Sequence, residues 1–300
     1  MKRNCGFLQF TEKFPDEDSC IKYFEKIRWK DGVVSPFDPS SKVYKCKGNK
    51  YRCRNTGKYF DVKTGTAFAC TKLPLRYWFY AMFLFLSHKR GVSSCQLARD
   101  LGVTQKTAWN MLNKIRDYMS FLNTGELNNE VEIDETFVGG KNKNRHKDKK
   151  VKKCQGRSFK DKIPVFGMYQ RGGRLIVKTV ANTQSNTLTP LILKHINEGS
   201  VIYTDGWEYG DLNTAYEQRS VDHSKHFYGS SFITDDGEFV STNTNSIENA
   251  WSHLKRTIFG TYYNVSKKHL QKYVDEFIFR FNTKKYSDNE RFELYLQNIA

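Results

Sequence analysis

Residues 131–140 read VEIDETFVGG, a short run of strand-forming residues that ends in a glycine pair. Its β-branched and aromatic residues favour a β-strand, and the glycines allow the chain to turn out of it. Three carboxylates, Glu132, Asp134 and Glu135, fall within four residues. Like charges this close repel each other and resist desolvation, so such a strand either keeps one face in water or holds a cation. The stretch is therefore consistent with two structures: an edge strand with one face in water, and a strand that binds a cation.

The chain around this strand is long and strongly basic. It has 300 residues, a formal net charge of +17 and 15% aromatic residues. A chain of this length has room for two or three domains, each with its own core. Its surplus of Lys and Arg attracts polyanions over a long range. We expect nucleic acid as the partner, with a basic protein that has no such partner as the alternative.

No stretch of the sequence predicts secretion or membrane insertion. The most apolar one, residues 75–86, contains Arg76 and is shorter than the roughly 20 residues that cross a bilayer. The amino terminus lacks the apolar core and cleavage site of a secretory signal. Seven scattered cysteines are typical of reduced thiols. We therefore expect a cytoplasmic protein, associated with the nucleoid if the host is a bacterium.

Residues 1–65 are predicted to contain a small β-module. Two strands and two turns over residues 42–60 have the outline of a zinc ribbon, which needs two Cys-x-x-Cys knuckles. Only Cys53 is present at the four ligand positions, and the other three are Ser35, Asp38 and Thr56. Cys46 is spaced poorly to complete a knuckle with Cys53. We therefore predict a degenerate ribbon without zinc, packed on its aromatic residues, Tyr44, Tyr51, Tyr59 and Phe60.

Residues 66–122 are predicted to form a helical module. An apolar helix follows Pro74, and two more helices are separated by Gly102, which allows a tight turn. Ser93 and Thr104 stand at their N-caps. The pattern predicts a helix-turn-helix, with an ordinary helical hairpin as the alternative. The second helix would turn to solvent a set of side chains that can contact DNA bases or phosphates, namely Gln105, Lys106, Asn110, Asn113 and Lys114.

The last predicted domain spans residues 123–300 and contains the acidic strand. Residues 141–162 include eleven Lys or Arg among twenty-two, which is typical of a solvated loop. Beside the clustered acids, this loop could hold a phosphate backbone, with Lys149 and Lys150 among its contacts. The strands and helices that follow indicate a mixed sheet of the α+β or α/β class.

Two later acids occupy positions that suit a shared site with Asp134. Asp205 ends a short apolar strand, where the side chains of a sheet meet a cleft. Glu248 lies on a helix, with Lys255 two turns further along the same side. An Asp on a first strand, an Asp that ends a later strand and a Glu on a following helix are the parts of an RNase H-like site. Three such carboxylates could hold two Mg²⁺ or Mn²⁺ ions for phosphoryl transfer.

Several blocks of the sequence resemble one known family. The segments IDETFVGG, PVFGM, YTDGW and NTNSIENAWSHLKR follow one another in the core, and YRCRNTGKYFDVKTGTAF and GVSSCQLARDLGVTQKTAWNML precede them. They are similar to the DDE transposases of the IS1595 insertion-sequence family, the group defined by an ISXO2-like transposase domain. The likeness covers nearly the whole chain past about residue 30.

The resemblance implies a DNA transposase that cuts and joins DNA at the ends of its insertion sequence. The family's acidic triad falls on Asp134, Asp205 and Glu248, with Asn245 as a rival or auxiliary metal ligand. Lys255 and Arg256 would then contact DNA near the metal ions.

The same resemblance implies double-stranded DNA as the partner, both as terminal repeats and as target. It also implies a homodimer or a larger assembly on DNA, because transposition holds two ends together. A DNA-binding regulator that has lost turnover and a metal-dependent nuclease without strand transfer are the alternatives. The expected fold is α+β and multi-domain, with a zinc-ribbon-like module, a helix-turn-helix module and an RNase H-like mixed-sheet catalytic core.

Overall fold

The computed structural model describes residues 6–140, 146–151, 162–205, 212, 215–221, 230–233 and 239–300. These residues belong to two units, one of Met1–Met119 with Thr283–Ala300 and one of Ser120–Asn282. No helix in the described ranges is long and apolar enough to cross a bilayer.

The bounds of the secondary-structure elements follow in chain order. The described α-helices are α1 (Phe7–Lys13), α2 (Glu17–Arg28), α3 (Leu75–Ser87), α4 (Ser94–Leu101), α5 (Gln105–Asp117), α6 (Ser185–His195), α7 (Asn245–Thr257), α8 (Leu270–Asn282) and α9 (Asp288–Ile299). The described strands are β1 (Val43–Cys46), β2 (Lys50–Cys53), β3 (Tyr59–Phe60), β4 (Glu130–Val138), β5 (Ile163–Gln170), β6 (Leu175–Thr179), β7 (Val201–Asp205), β8 (Glu217–Val221), β9 (Ser230–Ile233) and β10 (Phe239–Thr242).

Helix α9 packs into the aromatic core of the first unit. Phe292 meets Phe10 of α1 edge-on, with the ring centroids 5.0 Å apart. The Tyr295 hydroxyl donates a hydrogen bond of 2.8 Å to the carbonyl of Ile115 in α5. Residues 283–300 therefore belong to the first unit, whereas the sequence pattern assigned them to a core of residues 123–300. An apolar stripe shows that a helix packs but does not identify its partner.

Strands β1, β2 and β3 form an antiparallel sheet in the first unit. Tyr51 and Phe60 are buried in the core under this sheet, with stacked rings whose centroids lie 5.7 Å apart. Tyr44 and Tyr59 are exposed, so the prediction that these two rings also pack the ribbon is wrong. The reason is the strand period, because successive side chains point to opposite faces. Tyr51 and Phe60 are paired on the inner face, whereas Tyr44 and Tyr59 both lie on the face of Arg52.

Helices α4 and α5 confirm the capping signals of the sequence. The Ser93 hydroxyl accepts a hydrogen bond of 3.2 Å from the Gln96 amide, and the Thr104 hydroxyl accepts one of 3.2 Å from the Thr107 amide. Gly102 ends α4 in the left-handed region, with φ of 65°. A residue without a Cβ adopts this conformation at little cost, so the tight turn between the two helices follows from the local sequence.

The second unit is built on a mixed five-stranded sheet in the order β6-β5-β4-β7-β8. Strands β6, β5 and β4 are antiparallel neighbours, whereas β4, β7 and β8 run parallel. The prediction of a mixed sheet is confirmed. Strand β4 lies at its centre with partners on both sides, so the alternative of an edge strand with one wet face does not hold.

The two faces of β4 bury different side chains. Val131 and Ile133 belong to an apolar cluster that includes Leu188 and Ile192 of α6. On the opposite face, Val138 belongs to a second cluster built with α7 and α8. Because side chains alternate along a strand, Glu132 and Asp134 share the face of Val138. These two acids are therefore directed to the α7 side of the sheet.

Gly167 on β5 lets α7 pack closely against the sheet. It is the register partner of Asp134 on β4. A Cβ added at Gly167 would lie 2.6 Å from Cζ2 of Trp251 and 3.2 Å from Cδ1 of Ile247. Both neighbours belong to α7, so the absence of a side chain at this position sets the distance between helix and sheet.

We expect Gly167→Ala to destabilise the second unit by about 1–3 kcal/mol, because the added methyl group overpacks the contact with Trp251. Denaturant unfolding followed by circular dichroism would measure the change. Gly260→Ala is the matched control, because a Cβ there meets nothing within 4 Å. Equal unfolding midpoints for the two variants would contradict the close packing of α7 on β5.

Candidate functional site

The three acids singled out in the sequence line one cavity. This cavity has a volume of about 440 Å³ and includes Asp134 of β4, Asp205 at the end of β7 and Glu248 of α7. The remaining lining residues are Glu135, Thr136, Phe137, Lys162, Trp251, Ser252 and Lys255. Asp134 and Glu248, which lie 114 positions apart in the chain, thus meet with Asp205 at one place in the second unit.

The sheet register explains why Asp134 and Asp205 meet. Glu132 pairs with Tyr203 in the parallel ladder of β4 and β7. Asp134 and Asp205 each follow this pair by two residues, at the same end of the two parallel strands. Neighbouring carboxylates repel each other when both are ionised.

Asp134 has a pKa far above that of an ordinary aspartate. Burial raises its pKa to about 7, and the charges of Glu135 and Asp205 add to this rise. Hydrogen bonds from the Glu135 backbone and the Trp251 side chain oppose it, and the Trp251 indole N–H donates to Oδ2 at 2.8 Å. The indole thus fixes the orientation of the carboxyl group from the α7 side.

Glu132 has a different role from the other acids of its strand. Its side chain is only 1% exposed. It accepts a hydrogen bond of 3.0 Å from the Ile247 amide in the first turn of α7 and one of 3.0 Å from Arg171 Nε. In the sequence, Glu132 was grouped with Asp134. Its one distinguishing signal was that it stands two residues before Asp134 on the same face of the strand.

Glu248 and Asn245 differ in their relation to the cavity. Glu248 lies one turn into α7 and lines the cavity. Asn245 is the exposed first residue of α7 and is not among the described lining residues. Its backbone amide donates to the Asn243 side chain at 3.3 Å. Of the two candidates for the third position, the structure brings only Glu248 to the aspartates.

Lys255 supplies a cation at the wall of the cavity. Burial lowers its pKa, and the nearby charge of Asp134 opposes this shift. Arg256, the next residue, is exposed. In the predicted basic loop, Lys150 is exposed, whereas the side chain of Lys149 lies outside the described part of the chain. Residues 141–145 and 152–161 of that loop are also outside it.

The donor chemistry of the cavity fits a hard divalent cation. Such ions prefer carboxylate oxygens, and the neighbouring charge and burial that disfavour an ionised Asp134 would be offset by a bound cation. As placed, no three His, Cys, Asp or Glu side chains in the described ranges form a ready metal-binding group. Metal binding by Asp134, Asp205 and Glu248 therefore requires their side chains to turn toward a common point.

Helix α5 presents most of the predicted DNA-contacting residues to solvent. Lys106 and Asn110 are exposed and lie one turn apart. Gln105 is exposed but donates a hydrogen bond of 2.8 Å to the Ser94 hydroxyl of α4. Lys114 is exposed, with its Nζ 5.9 Å from the centre of the Trp78 ring. Lys106 and Asn110 are thus the strongest candidates for contacts with bases.

Asn113 does not face solvent, so that part of the prediction is wrong. It is 7% exposed, and its Nδ2 donates a hydrogen bond of 3.1 Å to the Trp109 carbonyl. The buried side of α5 is wider than the apolar stripe suggests. Trp109, which is not in the predicted set of DNA-contacting residues, is 37% exposed and precedes Asn110.

The predicted knuckles of the ribbon are held together by hydrogen bonds. The Ser35 hydroxyl accepts from the amides of Phe37 and Asp38 at 3.2 and 3.4 Å. Burial raises the pKa of the Cys53 thiol, but hydrogen bonds from the side chains of Ser35, Ser41 and Thr56 outweigh it and lower the pKa to about 6. One thiol among hydroxyl groups is a poor ligand set for zinc, which prefers thiolates and imidazoles.

We predict that purified protein contains fewer than one zinc ion per chain, as measured by elemental analysis. Replacing Ser35, Asp38 and Thr56 together by cysteine should raise the content to one zinc per chain, because Cys53 would then have three thiolate partners. One zinc per chain in the unaltered protein, resistant to a chelator, would show that the ribbon holds metal.

Comparisons with known proteins agree on one family. Residues 126–282 match the family model described as ISXO2-like transposase domain. The chain is 27% identical over 283 residues to an uncharacterized protein in transposable element ISH50 of Halobacterium salinarum, covering 89% of this chain and 91% of that protein. It is 30% identical over 105 residues to an uncharacterized transposase-like protein of Haemophilus influenzae, covering 34% of this chain and 76% of that one.

One solved structure, the crystal structure of the Mos1 strand transfer complex, aligns with 82% of this chain and 79% of its own. Its TM-score is 0.29 and its sequence identity is 15%. A likeness this low supports no argument about the present chain.

Proposed function

The chain belongs to the family defined by the ISXO2-like transposase domain, and we propose that it cuts phosphodiester bonds at the ends of an insertion sequence and joins the resulting 3′-hydroxyls to target DNA. The observation that carries this proposal is the meeting of Asp134, Asp205 and Glu248 at one cavity. Three carboxylates on two parallel strands and a packed helix can hold the divalent ions that two-metal phosphoryl transfer uses.

The second unit is proposed to be an RNase H-like core. In support, its mixed sheet has helices on both faces. Its acids lie on a central strand, at the end of the neighbouring parallel strand and on the helix that packs over them. This combination of element types is the one that the sequence suggested for such a site.

Asp134, Asp205 and Glu248 would hold Mg²⁺ or Mn²⁺ in this site. When bound, such ions activate the attacking oxygen and stabilise the leaving oxygen of an in-line phosphoryl transfer. The protein's own contribution is orientation, because the Trp251 indole holds the Asp134 carboxyl group at 2.8 Å. Water would first attack the phosphodiester at the element end and free the 3′-hydroxyl. That hydroxyl would then attack a phosphodiester of the target strand in the same cavity.

Lys255 is proposed to bind a phosphate of the DNA strand that enters the cavity. It lies on α7 with Glu248, on the same wall, where it is partly removed from water. A charge-assisted hydrogen bond to a phosphate oxygen is stronger in such surroundings than at an open surface. The basic residues Arg256 and Lys150 are exposed and would contact the backbone further from the cut.

Asp205→Asn should lower DNA cleavage by at least about 100-fold, because loss of a carboxylate ligand removes several kcal/mol of transition-state stabilisation. The assay would use a labelled duplex that carries the ends of the element, with Mg²⁺ or Mn²⁺. Asp31→Asn, at an exposed position in the first unit, is the matched control.

The same assay separates the alternatives. Cutting and joining that need both the divalent ion and Asp205 are the expected result. Cutting without joining would point to a nuclease, and specific binding without cutting under any divalent ion would point to a regulator.

Helix α5 is proposed to read the terminal repeats through Lys106 and Asn110. Alanine at either position should weaken binding to repeat DNA by about 5- to 100-fold, which corresponds to about 1–3 kcal/mol for a base contact. Fluorescence anisotropy with a labelled repeat would measure it, and Lys22→Ala, an exposed lysine on α2, controls for lost charge. Unchanged affinity in both variants would exclude this helix as the reading element.

A further inference from the structure

The outer face of the ribbon sheet carries an exposed row of two tyrosines and an arginine. We propose that this row, formed by Tyr44, Arg52 and Tyr59, binds unpaired bases of a DNA strand by stacking. It is a different surface from both helix α5 and the acidic cavity. The proposal rests on the transposase function proposed above, because a staggered cut at an element end would leave unpaired nucleotides.

The row follows from the register of three adjacent strands. Tyr44 of β1 pairs with Arg52 of β2, and Arg52 pairs with Tyr59 of β3. Paired residues point to the same side of a sheet, so the three side chains form a line across it. Tyr44 is 44% exposed and Tyr59 is 59% exposed. These are large fractions for aromatic side chains, whose burial would stabilise the fold.

Cations accompany each exposed ring of this surface. The Arg52 guanidinium lies 5.9 Å from the centre of the Tyr59 ring, and Lys42 Nζ lies 5.9 Å from that of Tyr44. The two tyrosine rings and these two positive charges therefore belong to one surface.

The charge of this module is complementary to a nucleic acid. Residues 42–59 contain seven Lys or Arg and no Asp or Glu. The seven are Lys42, Lys45, Lys47, Lys50, Arg52, Arg54 and Lys58. A segment whose charged residues are all positive attracts a phosphate backbone and holds it by ion pairing that weakens with salt.

The exposed rings favour an unpaired strand over a duplex. In a duplex the faces of the bases are stacked on one another, and only phosphates and base edges can be reached. An unpaired base exposes its face, which stacks on tyrosine rings and on the guanidinium plane of arginine. Tyr44 and Tyr59 lie two strand spacings apart, about 10 Å, which is too far for the two rings to stack on each other.

The test compares two DNA molecules of the same sequence, a blunt duplex and a duplex with an unpaired 3′ tail of about ten nucleotides. Fluorescence anisotropy would be measured with the full chain, without divalent ions, so that no cutting occurs. We expect the tail to strengthen binding. The double variant Tyr44→Leu, Tyr59→Leu should weaken binding to the tailed duplex by about tenfold or more and leave binding to the blunt duplex unchanged.

Two further variants serve as controls. Tyr44→Phe with Tyr59→Phe keeps the rings and should retain the preference for the tail. Tyr286→Leu removes a tyrosine of similar exposure, 48%, outside the ribbon, and should have no effect. A preference that survives the double leucine change, or a double leucine variant that weakens both DNA molecules equally, would overturn the proposal. Loss of the preference for the tailed duplex in the phenylalanine variant would also overturn the proposal.

The result of this binding test does not depend on whether the protein cleaves DNA. Cleavage of blunt ends that depends on Asp205 would stand even if the tail gave no advantage. A tail preference that depends on Tyr44 and Tyr59 would stand even if no cleavage were found.

Discussion

The buried carboxylate of Glu132 accepts hydrogen bonds from the first turn of α7 and from Arg171, each at 3.0 Å. A carboxylate that is 1% exposed would be costly without such partners, because burial removes its hydration. The helix amide is favourable as well, since the N-terminus of a helix carries partial positive charge. Glu248 directly follows Ile247, the residue whose amide is held. The contact therefore fixes where Glu248 stands relative to the aspartates of the sheet.

Arg171 extends this anchor to the rest of the core. Its Nη2 donates to the Asn243 carbonyl at 2.7 Å, just before α7, and its guanidinium lies 3.8 Å from the centre of the Tyr203 ring on β7. One turn after Glu132's contact, Trp251 rests on Gly167. Helix α7 is thus held to the sheet at two successive turns. The cavity wall that carries Glu248 and Lys255 gains its position from these two contacts.

The acidic cavity combines charge with partial removal from water. Strand β4 lies at the centre of the sheet, and Asp134 on it is partly removed from water. Burial raises the pKa of Asp134 to about 7, which means that an ionised carboxylate there is held at a cost. Neighbouring acids on a central strand suit a site that binds cations, because a bound cation offsets the repulsion between the carboxylates that the fold brings together.

The sequence by itself determined the local features: the caps at Ser93 and Thr104, and the three acids with their element types. These depend on side chains and backbone within a few residues of one another, which is the range over which patterns carry information. Tertiary structure decided which acid of β4 anchors α7 and which faces the cavity, that Asn113 is buried, that Tyr44 and Tyr59 face outward, and that α9 packs with α1. Each of these depends on strand register or helix packing between distant segments, and a one-residue change of register would reverse every side chain of a strand.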